Sequence, residues 1–157
     1  MRCTVTETPK KVQYLRHGEA GAYEQTTCSQ DAWHRGSHQK VLAFSFYSVP
    51  SRANKSKRYF KGVKANLDLM EQLYEKDWNM RLYHDLEVGD PLMVDACDLA
   101  CNNSRLDLCS VKKLPHLLLA NASAMFPMNW RFFPTLDSQV VEMASRDLDS
   151  RWNKGSL

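Results

Sequence analysis

The sequence predicts an α/β fold: a mostly parallel sheet of about four strands with crossover helices, preceded by an irregular N-terminal arm. From residue 40 onward, short apolar runs rich in β-branched and aromatic residues alternate with stretches of helical periodicity. Turn residues separate these segments, rather than the dipeptides typical of tight hairpins. Strands joined by helical crossovers pair in parallel, so the order β-α-β-α-β-α-β favours one parallel sheet.

The chain divides into an arm and one domain. Residues 1–38 are polar and irregular, with one short strand pattern at 12–15, and they predict a poorly ordered N-terminal arm. Residues 39–157 form the predicted domain. Its first strand is the apolar run 41–47, which is buried by prediction and ends at a loop containing Pro50.

The clearest amphipathic helix follows that loop. Its apolar residues recur every three or four positions, the spacing that places them on one helix face: Tyr59, Val63, Leu67, Met70 and Tyr74. The rest of the chain alternates in the same way. It predicts strands at 80–85, 106–111 and 140–144, and helical pieces at 92–101, 114–126 and 129–136.

Composition excludes several classes of function. The chain has 157 residues, of which 43% are hydrophobic and 25% charged, values typical of a globular protein large enough for one core. Its 21 Lys and Arg nearly balance 18 Asp and Glu, so the net charge of +3 does not indicate a nucleic-acid partner. No apolar window suits a membrane span, and the N-terminus lacks the apolar core of a secretion signal, so neither is expected in this chain.

The cysteines leave their redox state open. Cys97 and Cys101 are four residues apart in a predicted helix, where small thiols are commonly buried and free. The alternative is a disulfide from that helix to Cys109 in a secretory lumen, where N-x-S sequons would also be usable. The cysteine spacing does not match a zinc site. The sequons begin at Asn54, Asn102 and Asn121.

Two acidic residues, Asp147 and Asp149, follow the last predicted strand. Two carboxylates so spaced in an extended segment face the same side and can hold one Mg²⁺ or Mn²⁺, with positions left for diphosphate oxygens. Arg146 and Arg151 would add charge-assisted contacts to the same phosphates. The alternative is a solvated turn in which these arginines pair with the carboxylates. Ligands of parallel sheets bind beyond the carboxyl ends of the strands, where this chain has 48–51, His84-Asp85 and 147–149.

A longer signature surrounds the acidic pair. It consists of W-R-F-F-P-T-L-D at 130–137 and R-D-L-D-S-R at 146–151, and it is rarer than a D-x-D pair alone. With the elements that precede it, this signature resembles a GT-A type glycosyltransferase domain over about residues 40–152. The other residues that carry the likeness are the strand 41–47, the helix through Tyr59-Phe60-Lys61-Gly62 and Asn66, and the strand at Tyr83.

The resemblance implies a nucleotide-diphospho-sugar transferase fold, a nucleotide-sugar donor such as a UDP-sugar, and hexosyl transfer to a glycan or other hydroxyl acceptor. It also implies Mn²⁺ or Mg²⁺ held by Asp147 and Asp149, and a secretory or Golgi lumen, whereas the absence of a secretion signal in this sequence favours the cytoplasm as the alternative. Arg131 would contact the donor, whereas the alternative is an arginine that stacks on a neighbouring ring and pairs with Asp137. The cluster of aromatic residues around Arg131 is expected in the core. Further candidates for donor contacts are Arg146, Ser45, Tyr47 and Ser48.

The chain ends eight residues after Asp149. Glycosyltransferases of this type need a second half that carries the acceptor site and, where the reaction inverts, a catalytic base. The resemblance therefore implies a domain that is incomplete at its C-terminus, as in a fragment or degenerate copy, with weak or no turnover by itself.

Two other classes of protein remain open. Leu15-Arg16-His17-Gly18-Glu19 resembles the opening signature of the histidine phosphatases, in which the histidine is the phosphorylated nucleophile and the arginine binds phosphate. That family also needs a second catalytic histidine, and neither His84 nor His116 has the expected setting. The other class is a non-catalytic binding domain that keeps the fold.

Overall fold

The structure, a computed structural model, describes residues 26–149 of the chain. Some features singled out in the sequence lie outside the described residues: the strand predicted at 12–15, Arg16-His17-Gly18 and Arg151.

The described residues contain one parallel sheet. Its strands are β1 (Gln39–Phe46), β2 (Trp78–His84), β3 (Leu106–Ser110) and β4 (Val140–Ser145). They lie in the order β3-β2-β1-β4, and every neighbouring pair is parallel. In the register of the sheet, Ser45 of β1 lies opposite Tyr83 of β2, and Ala43 of β1 lies opposite Ser145 of β4. The α/β fold predicted from the sequence is confirmed.

The α-helices are α1 (Gln30–His34), α2 (Ala53–Leu73) and α3 (Pro91–Asn102). Helix α3 begins where Asp90 accepts a hydrogen bond from the Leu92 N–H at 2.8 Å. The helical pieces predicted at 114–126 and 129–136 are 3₁₀ segments instead, at Leu117–Leu119, Ala122–Ala124 and Pro127–Leu136. Prolines interrupt this region and cannot donate a backbone hydrogen bond, which disfavours a long α-helix. No helix in residues 26–149 has the length and apolarity needed to cross a membrane.

The buried face of α2 agrees with the predicted face except at its first position. Tyr59 was expected in the core but is 37% exposed, and the buried position is its neighbour Phe60. From there the predicted spacing holds, since Val63, Leu67 and Met70 are buried. Phe60 packs edge-on against Phe46 of β1, which fixes the first turns of the helix over the sheet.

The sheet has a core on each face. On one face, α2 and α3 cover a cluster that includes Leu42, Phe44 and Phe46 of β1. On the other face, the alternate β1 residues Val41 and Ala43 pack in a second cluster with residues of the N-terminal and 3₁₀ segments. The members of this second cluster from those segments include Cys28, Ala32, Ala122, Trp130 and Phe133. The central strands β1 and β2 are therefore buried on both sides, as their continuous apolar runs predict, whereas the edge strand β4 is partly exposed.

Residues 26–38 do not belong to a poorly ordered arm, contrary to the sequence-based expectation. Thr26, Thr27 and Cys28 are buried, and Ser29 caps helix α1 by accepting a hydrogen bond from the Ala32 N–H. The polar residues that gave this segment its irregular character make specific buried contacts, which a hydropathy pattern does not reveal.

A disulfide joins this segment to the sheet. Cys28 bonds to Cys109 of β3, and Cys101 is also disulfide-bonded, whereas Cys97 is free. The expectation of free thiols is therefore correct for Cys97 and wrong for Cys101. The alternative partner for Cys109, a cysteine of the helix, is also wrong, because Cys28 occupies that position.

A buried ion pair joins β2 to the residues before β4, and Thr27 of the N-terminal segment is hydrogen-bonded to it. Arg81 and Asp137 are both fully buried and approach to 2.7 Å. The Asp137 carboxylate also accepts hydrogen bonds from the backbone N–H and the hydroxyl of Thr27, at 2.9 and 3.2 Å. Arg81 donates a further bond to the Gln39 side chain at 3.0 Å. This network replaces the pairing of Asp137 with Arg131 that was considered from the sequence.

Candidate functional site

A groove opens at the carboxyl edge of the sheet between β1 and β4. The chain passes from β1 to β2 on one side, whereas β4 pairs with β1 on the other side, so the strand order reverses at β1. Open α/β sheets bind ligands in the crevice at such a point. The groove has a volume of about 420 Å³ and is lined by the end of β1, the start of α2 and the segment after β4.

Asp147 and Asp149 both line this groove. The segment that carries them continues the pairing of β4 with β1, since the Arg146 N–H donates to the Ala43 carbonyl at 3.1 Å. Leu148, between the two acids, is buried in the core beneath. Asp149 is exposed, and the Asp147 side chain is 42% exposed, so both carboxylates are accessible to a ligand.

Helix α2 holds the acidic segment through one carbonyl group. The Asn66 side-chain amide donates to the Leu148 carbonyl oxygen at 3.0 Å and to the Gly62 carbonyl at 2.8 Å. Gly62 lets the two backbones approach, because a Cβ at that position would lie 2.5 Å from the Leu148 oxygen. Gly62 and Asn66 therefore fix the distance between helix α2 and the backbone that carries the acidic pair. The sequence resemblance included both residues but gave them no role.

Replacing Gly62 with alanine is expected to lower the free energy of unfolding by up to about 2 kcal/mol, because overpacking costs about 1–3 kcal/mol and better helix propensity recovers about 1 kcal/mol. The clash is with a backbone carbonyl, so relief requires the acidic segment to move. Urea denaturation measures the change, and Lys61→Ala is the control, since Lys61 is exposed on the same helix. A Gly62→Ala variant more stable than wild type would contradict the close approach.

Arg131 lies beside the acidic pair. Its guanidinium forms an ion pair with Asp147 and lies 5.3 Å from the centre of the Phe132 ring. Its backbone N–H donates to the Ser45 hydroxyl at 3.0 Å, which joins the 3₁₀ segment to β1. Arg131 therefore lies next to the acidic pair but does not itself line the groove, and its ion-pair partner is Asp147 rather than Asp137.

The other predicted donor contacts divide into two groups. Ser45 and Tyr47 line the groove, and Tyr47 packs edge-on against the buried Trp130. Ser48 and Arg146 do not line it. The Ser48 N–H donates to the Asp85 carboxylate at 3.0 Å, and this bond holds the chain as it leaves β1.

The aromatic residues around Arg131 are mostly core, as predicted. Trp130 and Phe133 are buried, and the Trp130 indole N–H donates to the Ala122 carbonyl at 2.9 Å. Phe132 is the exception, since it is 46% exposed and carries the Arg131 guanidinium on its ring.

A cationic wall lines the same groove as the acidic pair, and the sequence did not connect the two. Arg52, which directly precedes α2, and Lys55 in its first turn line the groove together with Tyr59, and the Lys55 ammonium lies 5.6 Å from the centre of the Tyr59 ring. A second depression continues the groove past Arg58 to Asp149. The basic run 52–64 was the available signal, and on sequence grounds its simplest interpretation was a solvated loop and the outer face of a helix, with a weak anion site as the alternative.

His84, at the end of β2, was considered from the sequence as a residue near a ligand, but it lies away from the groove. It is buried and does not line the groove. Burial lowers the pKa of His84 to about 4, so its imidazole is neutral near pH 7. The carboxylate of its neighbour Asp85 accepts the hydrogen bond from the Ser48 N–H and so has a structural contact at the end of β1.

The groove offers two carboxylates as ligands for a hard divalent cation such as Mg²⁺. Residues 26–149 hold no group of three or more His, Cys, Asp or Glu side chains placed to bind a metal ion. Asp147 and Asp149 offer two carboxylates, and Mg²⁺ is typically bound through one or two carboxylates plus water and phosphate oxygens. Arg131 already pairs with Asp147, so a cation at this position competes with the guanidinium for that carboxylate.

No protein-family model matches the chain, and no curated protein or solved structure matches it significantly.

Proposed function

We propose that the groove binds a nucleotide-diphospho-sugar together with Mn²⁺ or Mg²⁺, and that the chain serves hexosyl transfer to a hydroxyl acceptor. The observation that carries the proposal is the meeting of two acidic side chains, Asp147 and Asp149, with a cationic wall at the point where the strand order reverses. The fold supports it too, since open parallel sheets commonly bind nucleotides at that point.

The charges of the groove suit a diphosphate bound through a cation. Arg52 and Lys55 attract phosphate oxygens, whereas the carboxylates of Asp147 and Asp149 repel them. A divalent cation between the carboxylates and the diphosphate removes this repulsion. The cation then neutralises the acidic side of the groove, and the diphosphate neutralises the basic side. When bound, Mn²⁺ or Mg²⁺ supplies Lewis-acid stabilisation of the charge that develops on the leaving nucleoside diphosphate.

Arg131 supports the same site from beside the groove. One of its guanidinium nitrogens pairs with Asp147, and its Nε is buried with no hydrogen-bond partner among the described residues. Its side chain does not line the groove, so in the proposed site it acts on the donor through Asp147, whose carboxylate it positions.

Two tyrosine rings complete the proposed site. Tyr47 is 39% exposed and Tyr59 is 37% exposed, and both line the groove. Partly exposed aromatic rings provide flat apolar surfaces that stack on nucleotide bases. We assign the nucleoside end of the donor to these rings and its diphosphate to the acidic pair.

Titration calorimetry with UDP, in Mn²⁺ and in excess chelator, tests the proposal. Wild-type protein is expected to bind UDP with Mn²⁺ present and to lose this binding in chelator. Asp149→Asn is expected to weaken the Mn²⁺-dependent binding by about 10–100-fold or more, the loss typical even of residues that only support metal ligands. The amide keeps the shape of the carboxylate and removes its charge.

Asp95→Asn is the matched control, because Asp95 is an exposed acid on α3 that does not line the groove. It should bind UDP like wild type. Binding that is indifferent to both the metal and Asp149→Asn would contradict the proposal. Absence of binding to UDP and to other nucleotides would favour a non-catalytic domain.

A further inference from the structure

The sequons form a set to which the proposed function assigns no role. Asn54, Asn102 and Asn121 each begin an N-x-S sequence in which the middle residue is not proline. All three asparagines are exposed in the structure. Surface position is required of a glycan acceptor, because the attached sugar is bulky and hydrated.

Asn54 differs from the other two in its surroundings. It lies in the first turn of α2 and lines the depression that continues the groove to Asp149. The serine of its sequon, Ser56, is buried, and its hydroxyl accepts a hydrogen bond from the Val49 N–H at 3.1 Å. A glycan on Asn54 would stand at the mouth of the groove.

Asn102 and Asn121 lie away from the groove. Asn102 ends α3 and comes just before β3, so it lies at the amino edge of the sheet, opposite the groove. Asn121 directly precedes a 3₁₀ segment, and neither residue lines the groove. The serines of both sequons, Ser104 and Ser123, are exposed as well. A glycan at either position leaves the groove open.

The disulfides indicate the compartment in which such a modification occurs. Cys28 and Cys109 are both buried and bonded to each other, and Cys101 is also disulfide-bonded. Disulfides of this kind form and persist in oxidising compartments such as the lumen of the endoplasmic reticulum. N-linked glycans are added in that same lumen, so the two features support each other.

We propose that Asn102 and Asn121 carry N-linked glycans. In the reaction, the side-chain amide nitrogen forms a bond to C1 of an oligosaccharide supplied by a lipid-pyrophosphate-linked donor. The C1–O bond to the pyrophosphate breaks, the lipid pyrophosphate leaves with the electron pair, and the amide proton passes to a base of the transferring enzyme. This proposal does not depend on the function of the groove.

The test expresses the full chain behind a cleavable secretory leader in mammalian cells. Wild type is expected to run as a species that peptide N-glycosidase shifts downward. In heavy-oxygen water the same enzyme converts each glycosylated asparagine to labelled aspartate, so mass spectrometry of the wild-type peptides identifies the sites without any variant. Label is expected at Asn102 and Asn121, with Asn54 unlabelled.

Sequon variants give an independent measurement. Ser104→Ala and Ser123→Ala keep the asparagines but each should remove one glycan, whereas Ser104→Thr and Ser123→Thr keep the sequons and should retain both. A wild-type chain that enters the lumen without an enzyme-sensitive shift would overturn the proposal. Label confined to Asn54 would overturn it too, and label at one of the two proposed sites would overturn the assignment of the other.

Discussion

Asp137→Ala is expected to lower the free energy of unfolding by about 3–5 kcal/mol, the usual cost of removing one partner from a buried ion pair. Arg81 would remain fully buried with no counter-ion at that position, and the N–H and hydroxyl of Thr27 would lose their acceptor. Urea denaturation at neutral pH measures this loss. Because domains are stable by only about 5–15 kcal/mol, the variant should be markedly more sensitive to urea.

Asp68→Asn is the control for this prediction. Asp68 pairs with Lys64 on the exposed side of α2, and exposed pairs contribute only about 0–1 kcal/mol. Equal losses from Asp137→Ala and Asp68→Asn would show that the Arg81 pair is not buried as described.

The pH dependence of stability provides a second measurement on the same pair. Burial alone would raise the pKa of Asp137, but the Arg81 charge and the backbone N–H groups of Thr27 and Gln139 outweigh burial and hold this pKa below its ordinary value. The stabilisation is therefore fully present above the unfolded pKa of about 3.9 and is lost as the pH falls through the folded pKa. We expect the stability difference between wild type and Asp137→Asn to shrink below about pH 4.

Removing the Cys28–Cys109 disulfide is the second large effect that we predict. The two cysteines are 81 residues apart in the sequence, and a loop of this length corresponds to about 4–5 kcal/mol in the chain-entropy description of a disulfide, within the measured range of about 2–5 kcal/mol for native bonds. The double variant Cys28→Ser with Cys109→Ser should therefore unfold at much lower urea concentration than wild type.

Cys97→Ser is the matched control, because Cys97 is the free cysteine of the described residues. Variants are preferable to a reducing agent, since Cys101 is disulfide-bonded as well and would be reduced at the same time. If the double variant does not fold, a non-reducing tryptic digest of wild type still tests the bond. Peptides 17–35 and 106–112 should be recovered joined, and their recovery as separate thiols would contradict the pairing.

The sequence was a good guide to the strands because short apolar runs bounded by turn residues leave a strong local pattern. The run 41–47 and the strand at 140–144 were predicted close to their observed bounds, and the predicted parallel pairing is observed. The buried face of a helix was less predictable, because the packing of individual side chains decides which of two neighbouring residues enters the core. In α2 the pattern selected Tyr59 for the core, whereas Phe60 occupies that place against Phe46.

The candidate site was predicted in part. Asp147 and Asp149 were identified because they directly follow an apolar strand, a position that fixes the edge of the sheet at which they lie. The basic run was not connected to the acidic pair, because Arg52 and Lys55 precede the acids by about a hundred residues and nothing in their local sequence indicates the pairing of β4 with β1.

By itself, the sequence determined the class of fold, the edge of the sheet where chemistry is possible and the acidic pair, since each follows from local periodicity and from the geometry of parallel strands. Only the tertiary structure decided the partners. It showed the disulfide between Cys28 and Cys109, and the ion pairs of Arg81 with Asp137 and of Arg131 with Asp147. It also showed the close approach of the Leu148 carbonyl to Gly62. The physical reason is that such contacts join residues distant in the chain, and they are selected by packing and charge rather than by any local pattern.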